Sequence, residues 1–142
     1  MSVRAASKPR IPMTDGRISS VMRTNVLRLS ADTPIRTATA RLLDQRQSAA
    51  PVLDAAGRLI GILTEKDCFR PALNASYYQQ WSGTVADAMS TYVSTMDHDT
   101  DIVAAANIFL DRPFRRYPVV QDGELVGMLD RADLLQVFLE YG

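Results

Sequence analysis

Two stretches carry the residues whose types and spacing could do chemistry: Gly61-Ile62-Leu63-Thr64-Glu65-Lys66-Asp67 and Gly127-Met128-Leu129-Asp130-Arg131-Ala132-Asp133. Each reads as an apolar strand running into a helix, with a carboxylate one turn in. The N–H groups of a first helical turn lack intrahelical partners and sit at the positive end of the helix dipole, so such a corner welcomes an anion. Gly61 and Gly127 would keep the adjacent backbone uncrowded. Thr64 with Asp67 is equally a capping pattern, the hydroxyl receiving one N–H and the carboxylate answering another. Both readings stand.

Other reactive groups lack the partners that their chemistry needs. His98 is the only histidine, flanked by Asp97 and Asp99, and reads as a helix-capping turn before it reads as a metal ligand. Cys68 has no histidine near it in sequence and reads as a small buried residue. No Gly-x-Ser-x-Gly elbow, phosphate loop or paired-cysteine site is present. The expectation is no catalysis, no metal and no required cofactor.

The elements that must position the two corners come from a repeat. At an offset of 67, Met22 falls on Met89, Thr33 on Thr100, Ile35 on Ile102, Ala38 on Ala105, Leu43 on Leu110, Pro51 on Pro118 and Val52 on Val119. One residue then drops out of a turn, and Gly61, Leu63 and Asp67 match Gly127, Leu129 and Asp133 at 66. Each copy predicts a short helical lead-in (Ile18 to Met22, Val85 to Met89) and a brief extended stretch (Val26 to Leu29, Tyr92 to Met96). A helix follows, burying Ile35, Ala38, Leu42 and Leu43 in one copy and Ile102, Ala105, Phe109 and Leu110 in the other. Pro34 suits a first helical turn, with Asp32 or Thr33 as cap, and Asp99 or Thr100 in the second copy. A hairpin comes next: Ala50 to Asp54 with Arg58 to Leu63, and Tyr117 to Gln121 with Glu124 to Leu129 around Asp122-Gly123. Closing helices begin near Thr64 and Asp130.

The predicted organisation is a flexible leader over 1–16, one repeat over 17–72, a linker over 73–84 and a second repeat over 85–142. Tyr77, Tyr78 and Trp81 in the linker could stack on a purine, but are read as filling a packing seam. A chain of 142 residues can bury a proper core without staples. Sixteen basic residues balance sixteen acidic ones, which leaves no net field for nucleic acid or an anionic membrane. No stretch reaches the roughly 20 apolar residues of a membrane span, and no secretory signal is visible. With a single cysteine, the expected location is the cytoplasm.

Taken together, these motifs resemble the CBS-domain family: the lead-ins ending Val21-Met22 and Ala88-Met89, the Ala50-Pro51-Val52 and Tyr117-Pro118-Val119 strands, and the two Gly-to-Asp corners, in the same order twice. The resemblance implies an α/β (α+β) fold of two β-α-β-β-α CBS repeats packed with pseudo-twofold symmetry, a Bateman module. It also implies two clefts that take an adenosine-containing molecule: AMP, ADP, ATP or S-adenosylmethionine. By that resemblance, Asp67 or Asp133 would accept both ribose hydroxyls. The Asp133 cleft would draw on Ile18, Ser48, Ala49 and Ala50, with Arg116 where relatives often hold a phosphate. The other would combine Thr64 and Asp67 with Val85, Arg115, Arg116 and Tyr117. Each departs from the pattern: Asp130 stands where Thr or Ser is expected and repels phosphate, and Ala49 is the counterpart of Arg116. Arg115 and Arg116 are equally read as solvated surface charges.

The expected function is a regulatory ligand sensor, signalling through conformational or oligomeric change to a separate effector protein, as a homodimer. The competing expectation is a ligand-free dimerisation or protein-interaction module with vestigial clefts, paired through the helices after each hairpin.

Overall fold

The computed structural model describes residues Asp15 to Tyr141, so the leader expected over 1–16 lies outside the described residues except for Asp15 and Gly16. Within them the chain forms two compact units: Val26–Val93, and the residues up to Asn25 together with those from Ser94 onward. They are named here by their corner carboxylates, the Asp67 unit and the Asp133 unit.

The Asp67 unit runs β1 (Leu29–Ser30), α1 (Ile35–Asp44), β2 (Ala49–Leu53), β3 (Leu59–Thr64), a 3-10 turn (Lys66–Cys68), α2 (Phe69–Tyr78) and α3 (Val85–Ala88). Its three strands lie in the order β1-β2-β3, with β1 parallel and β3 antiparallel to β2. The Asp133 unit contains a 3-10 turn (Ile18–Ser20), β4 (Met96–Asp97), α4 (Ile102–Asp111), β5 (Arg116–Gln121), β6 (Glu124–Asp130) and α5 (Arg131–Tyr141). Its sheet repeats the same order and pairing. Mixed α and β content in two repeats agrees with the expected fold class.

Strand alternation decides what each hairpin presents. Tyr117, Val119 and Leu129 enter the apolar core with Ile102, Ala105 and Leu134, so Arg116, Pro118, Met128 and Asp130, one step out of phase, face the other side of the sheet. The turns are made as the sequence predicts: Asp122 and Gly123 take φ of 54° and 83°, which suits Asp-Gly, and the Asp54 carboxylate receives the N–H groups of Ala56 and Arg58.

Each unit is completed by the lead-in of the opposite repeat. Ile18 is fully buried in the core of the Asp133 unit with Val21 and Met22 packed against it, while Val85, Ala88 and Met89 do the same in the Asp67 unit. The docking is duplicated bond for bond. Ile18 N–H donates to the Thr100 carbonyl and Val85 N–H to that of Thr33, both at 2.9 Å, and Ile102 and Ile35 donate to Gly16 and Gly83. Arg23 then bridges to Met128, and Ser90 to Ile62. Burying one Ile or Val side chain stabilises by about 1.5–3 kcal/mol, so the lead-ins are structural parts of the unit they join.

Several local expectations are corrected. The lead strands cover only Leu29–Ser30 and Met96–Asp97, because pairing to the neighbouring strand begins there. Leu43 and Leu110 are 61% and 82% exposed; the buried stripe of each helix is narrower than expected, and these residues lie past its edge. Pro34 occupies the N-cap of α1 without a side-chain cap, whereas α4 is capped by Asp101, whose carboxylate accepts from Val103 and Ala104. The segment read as a linker continues α2 as far as Tyr78, where Tyr77 and Tyr78 are exposed and meet edge to edge, and only Trp81 packs on a core. No helix among the described residues is long and apolar enough to cross a membrane.

Candidate functional site

The corner of the Asp67 unit is a closed pair of hydrogen bonds. Asp67 Oδ2 accepts the Thr64 N–H at 2.9 Å, and Thr64 Oγ1 accepts the Asp67 N–H at 3.2 Å. The capping reading is therefore realised, and it leaves Asp67 Oδ1 accepting no hydrogen bond among the described residues. Asp67 lines a cavity of about 710 Å3 with Lys66, Arg70, Thr84, Asp87 and Ala88 among its walls. Opposite, Thr84 and Asp87 form a second capping box at the start of α3. Two carboxylates and two cations thus line a single recess, with backbone N–H groups pinned by side chains on both sides. Such a recess can accept hydroxyl protons at a carboxylate and offer positive charge to an anion.

In the Asp133 unit the same backbone carries different chemistry. Asp133 receives a fork from Arg23, Nε to Oδ2 at 2.8 Å and Nη2 to Oδ1 at 2.9 Å. This bidentate pair holds the Arg23 guanidinium above its usual pKa, through the hydrogen bond first and the charge second. Asp130, in the place of Thr64, accepts the Ala132 N–H at 2.9 Å and pairs with Arg116 at 3.2 Å across the hairpin. The second corner is internally neutralised.

The glycines serve the protein before any ligand. A Cβ on Gly61 would stand 2.6 Å from Met89 Sδ and 2.9 Å from the Ser90 carbonyl oxygen. One on Gly127 would stand 2.6 Å from the Arg23 carbonyl oxygen and 2.8 Å from Met22 Sδ. The free space expected beside the corner belongs to the docked lead-in.

The remaining predicted residues are divided between the units. Ser48, Ala49, Ala50, Thr64, Asp67 and Val85 lie in the Asp67 unit; Ile18, Arg115, Arg116, Tyr117, Asp130 and Asp133 lie in the other. Ala49 pairs with Thr64 and Ala50 with Leu63, and the Ser48 carbonyl accepts the Glu65 N–H, so the β2 strand holds the corner in place. Arg115 is exposed, with its carbonyl accepting from Arg131. Ile18 and Val85 are core residues. Tyr117 turns its ring into the core against Phe109 and Phe114, at centroid distances of 5.3 and 5.8 Å, and burial pushes its phenol pKa up. Its ring therefore lies on the opposite face of the strand from Arg116. Sequence reasoning missed Arg23, Thr84 and Asp87. The Thr-x-x-Asp spacing of the last two was a visible signal, the same one read at Thr64 and Asp67.

Among the described residues no group of three His, Cys, Asp or Glu side chains could hold a metal ion. Cys68 is buried, its thiol pKa raised by desolvation.

Comparison with known proteins gives the family. A 17.7 kDa protein of Acidianus ambivalens is 26% identical over 125 residues, 87% of this chain and 74% of that one. An inosine-5'-monophosphate dehydrogenase of Nitrosopumilus maritimus is 29% identical over 119 residues, and the match spans only 23% of its length. Protein MJ1404 of Methanocaldococcus jannaschii, 31% identical over 106 residues, is spanned over 25% of its length. Among solved structures, CBSX2, a CBS-pair protein of Arabidopsis thaliana solved in complex with AMP, is 25% identical with a TM-score of 0.74, covering 87% of this chain and 96% of that one. The CBS domain pair of MJ0100, solved with 5'-methylthioadenosine and S-adenosylmethionine, shares the fold at 22% identity and a TM-score of 0.69, over 89% and 97% of the two chains. The CBS-domain family model matches residues 18–73 and again 85–140, the two stretches that carry the duplicated lead-in, hairpin and corner, and the chain belongs to the CBS-domain family.

Proposed function

We propose that this chain is a regulatory module, without catalytic activity, that binds an adenosine-containing nucleotide at the carboxylate corners of its repeats and reports occupancy through a change of conformation or assembly. The observation that carries the reading is Asp67: one carboxylate oxygen holds the corner together, the other accepts no hydrogen bond among the described residues, and the residue lines a recess of about 710 Å3 with Lys66 and Arg70. A ribose presents two adjacent hydroxyls that such an oxygen can accept, and a phosphate finds the two cations. AMP bound to a CBS pair 25% identical to this chain supports the ligand class. Ser48, Ala49, Ala50, Thr64 and Val85 act as the frame of that corner, and Arg115 and Arg116 are candidate ligand contacts within the Asp133 unit. ADP, ATP and S-adenosylmethionine belong in the same panel. Titration calorimetry of the four ligands against wild type and Asp67→Ala tests it: binding in the wild type and at least tenfold weaker binding in the variant is expected, since a hydrogen bond to a charged group contributes about 1.5–3 kcal/mol. No heat from any ligand at millimolar concentration would remove the reading.

A second reading has its own observation. The closing helices repeat an exposed apolar stripe, Phe69 with Leu73 on α2 and Leu135 with Leu139 on α5, each residue 65% exposed or more. Duplicated apolar stripes suit pairing with a second copy through these helices. Sedimentation velocity tests it: a dimer in the wild type and a monomer in Leu135→Glu/Leu139→Glu are expected, and a monomer throughout would exclude pairing.

A further inference from the structure

We infer that Arg23 is an internal occupant of the Asp133 corner, standing where a ligand's paired hydroxyls would bind, so that the Asp67 corner is the working site and the Asp133 corner is held shut. This rests on the adenosine reading above.

The two corners differ at one matched backbone position. Arg23 and Ser90 are equivalent at the offset of 67, and each bridges in the same antiparallel way to the strand before its corner, Arg23 to Met128 and Ser90 to Ile62. With the main chain matched, the side chain alone distinguishes the corners. Ser90 Oγ donates to the Tyr92 carbonyl at 3.3 Å, away from Asp67. Arg23 sends two parallel N–H donors to both oxygens of Asp133, at 2.8 and 2.9 Å. That is the donor pattern by which two adjacent hydroxyls would engage a carboxylate, so an incoming ribose and the guanidinium compete for the same lone pairs. The fork also brings positive charge beside Asp130, itself paired with Arg116, so the corner has little need of an external cation or donor.

The Arg23 side chain is 62% exposed and that of Asp133 only 21%. The guanidinium therefore approaches from the solvent side, covers the carboxylate, and can swing away without disturbing the core. A partly exposed pair of this kind weakens a competitor by about fivefold, and the shut state is a bias rather than a wall.

The test is calorimetric titration of AMP and of S-adenosylmethionine into wild type, Arg23→Ser, Asp67→Ala and Arg23→Ser/Asp67→Ala, with melting curves to certify folding. The wild type is expected to show one tight event that Asp67→Ala removes. Arg23→Ser should gain a second event, tightened about fivefold or more over the wild-type Asp133 corner, and the double variant should keep only that event. A double variant that folds and binds nothing overturns the inference while leaving the Asp67 reading intact. So does wild-type binding that survives Asp67→Ala but is lost in Asp133→Ala. A readout independent of ligand is the Arg23 Nε–H resonance, expected to exchange slowly in ligand-free wild type and rapidly in Asp133→Asn; fast exchange in both overturns the pairing. A slow Arg23 resonance with no binding of either probe to any variant removes the adenosine reading itself, and the gating role with it.

Discussion

Two corners built on one backbone plan have been given opposite chemical states. At Asp67 the carboxylate accepts the Thr64 backbone N–H through one oxygen, while the threonine hydroxyl receives the Asp67 N–H, which leaves the other oxygen available. At Asp133 both oxygens are taken by a guanidinium from a residue 110 positions away, and the threonine has become an aspartate that needs an arginine of its own. A duplicated scaffold preserves its main-chain contacts because glycine, lead-in and strand must fit together. Its side chains at the rim are free to diverge, and availability of a carboxylate is decided there, by Ser90 against Arg23 and Thr64 against Asp130.

The shared plan breaks most severely at the lead-ins. Ile18→Ala is expected to destabilise by about 3 kcal/mol, more than Val85→Ala, because a larger side chain leaves a larger cavity. Both residues are fully buried. Urea melts give the magnitudes, and amide exchange gives the place: Ile18→Ala should speed exchange in β5 and β6, not in β2 and β3. Faster exchange in β2 and β3 instead would show that the lead-ins are not traded between repeats.

Gly127→Ala and Gly61→Ala come next, at about 1–3 kcal/mol each. In both, the new methyl meets a backbone carbonyl as well as a methionine sulfur, and only the sulfur can move aside. Equal stability to the wild type in chemical denaturation would mean that the lead-in does not sit against the strand.

Smaller again are the corners themselves. Asp67→Ala leaves the Thr64 N–H without its acceptor and is expected to lower stability by about 1 kcal/mol. Arg23→Ser should lower it by less than about 1 kcal/mol, since the guanidinium it removes is largely exposed. An Arg23→Ser loss exceeding that of Asp67→Ala would mean that the ion pair is a structural clamp, and the contrast between an open and an occupied corner would need redrawing.

The faintest effect is in pH. Desolvation raises the Cys68 thiol above its ordinary value of 9.0, so the unfolded chain loses that proton first. Above the unfolded pKa the unfolded state binds fewer protons than the folded state, and stability is lost as pH rises from there through the folded pKa. Wild type is expected to fall more steeply than Cys68→Ala as pH rises above about 9. Parallel curves would place the thiol in water, and the apolar packing around it in the Asp67 unit would be wrong.

Much of this was legible in the residues. The helices followed from Ile35-Ala38-Leu42 and Ile102-Ala105, and the hairpins from Asp122-Gly123 and the apolar runs around Gly57, because these depend on neighbours within a few positions. Errors began where a second segment intervenes. Asp101 caps α4 in place of Asp99 or Thr100, since a cap is chosen by where the chain turns and not by which acidic residue comes first. In sequence the glycines promise room beside the corner, while the structure fills that room with methionine and backbone.

The duplication, the family and the two carboxylates one helical turn past a strand were determined by the sequence alone, because local periodicity and a fixed offset survive in one dimension. Which lead-in completes which core, and which carboxylate is left with a free oxygen, only the tertiary structure decided. Both depend on groups brought within 3 Å from far along the chain, as the Ile18 N–H is to the Thr100 carbonyl and Arg23 is to Asp133, and no spacing rule records such a meeting.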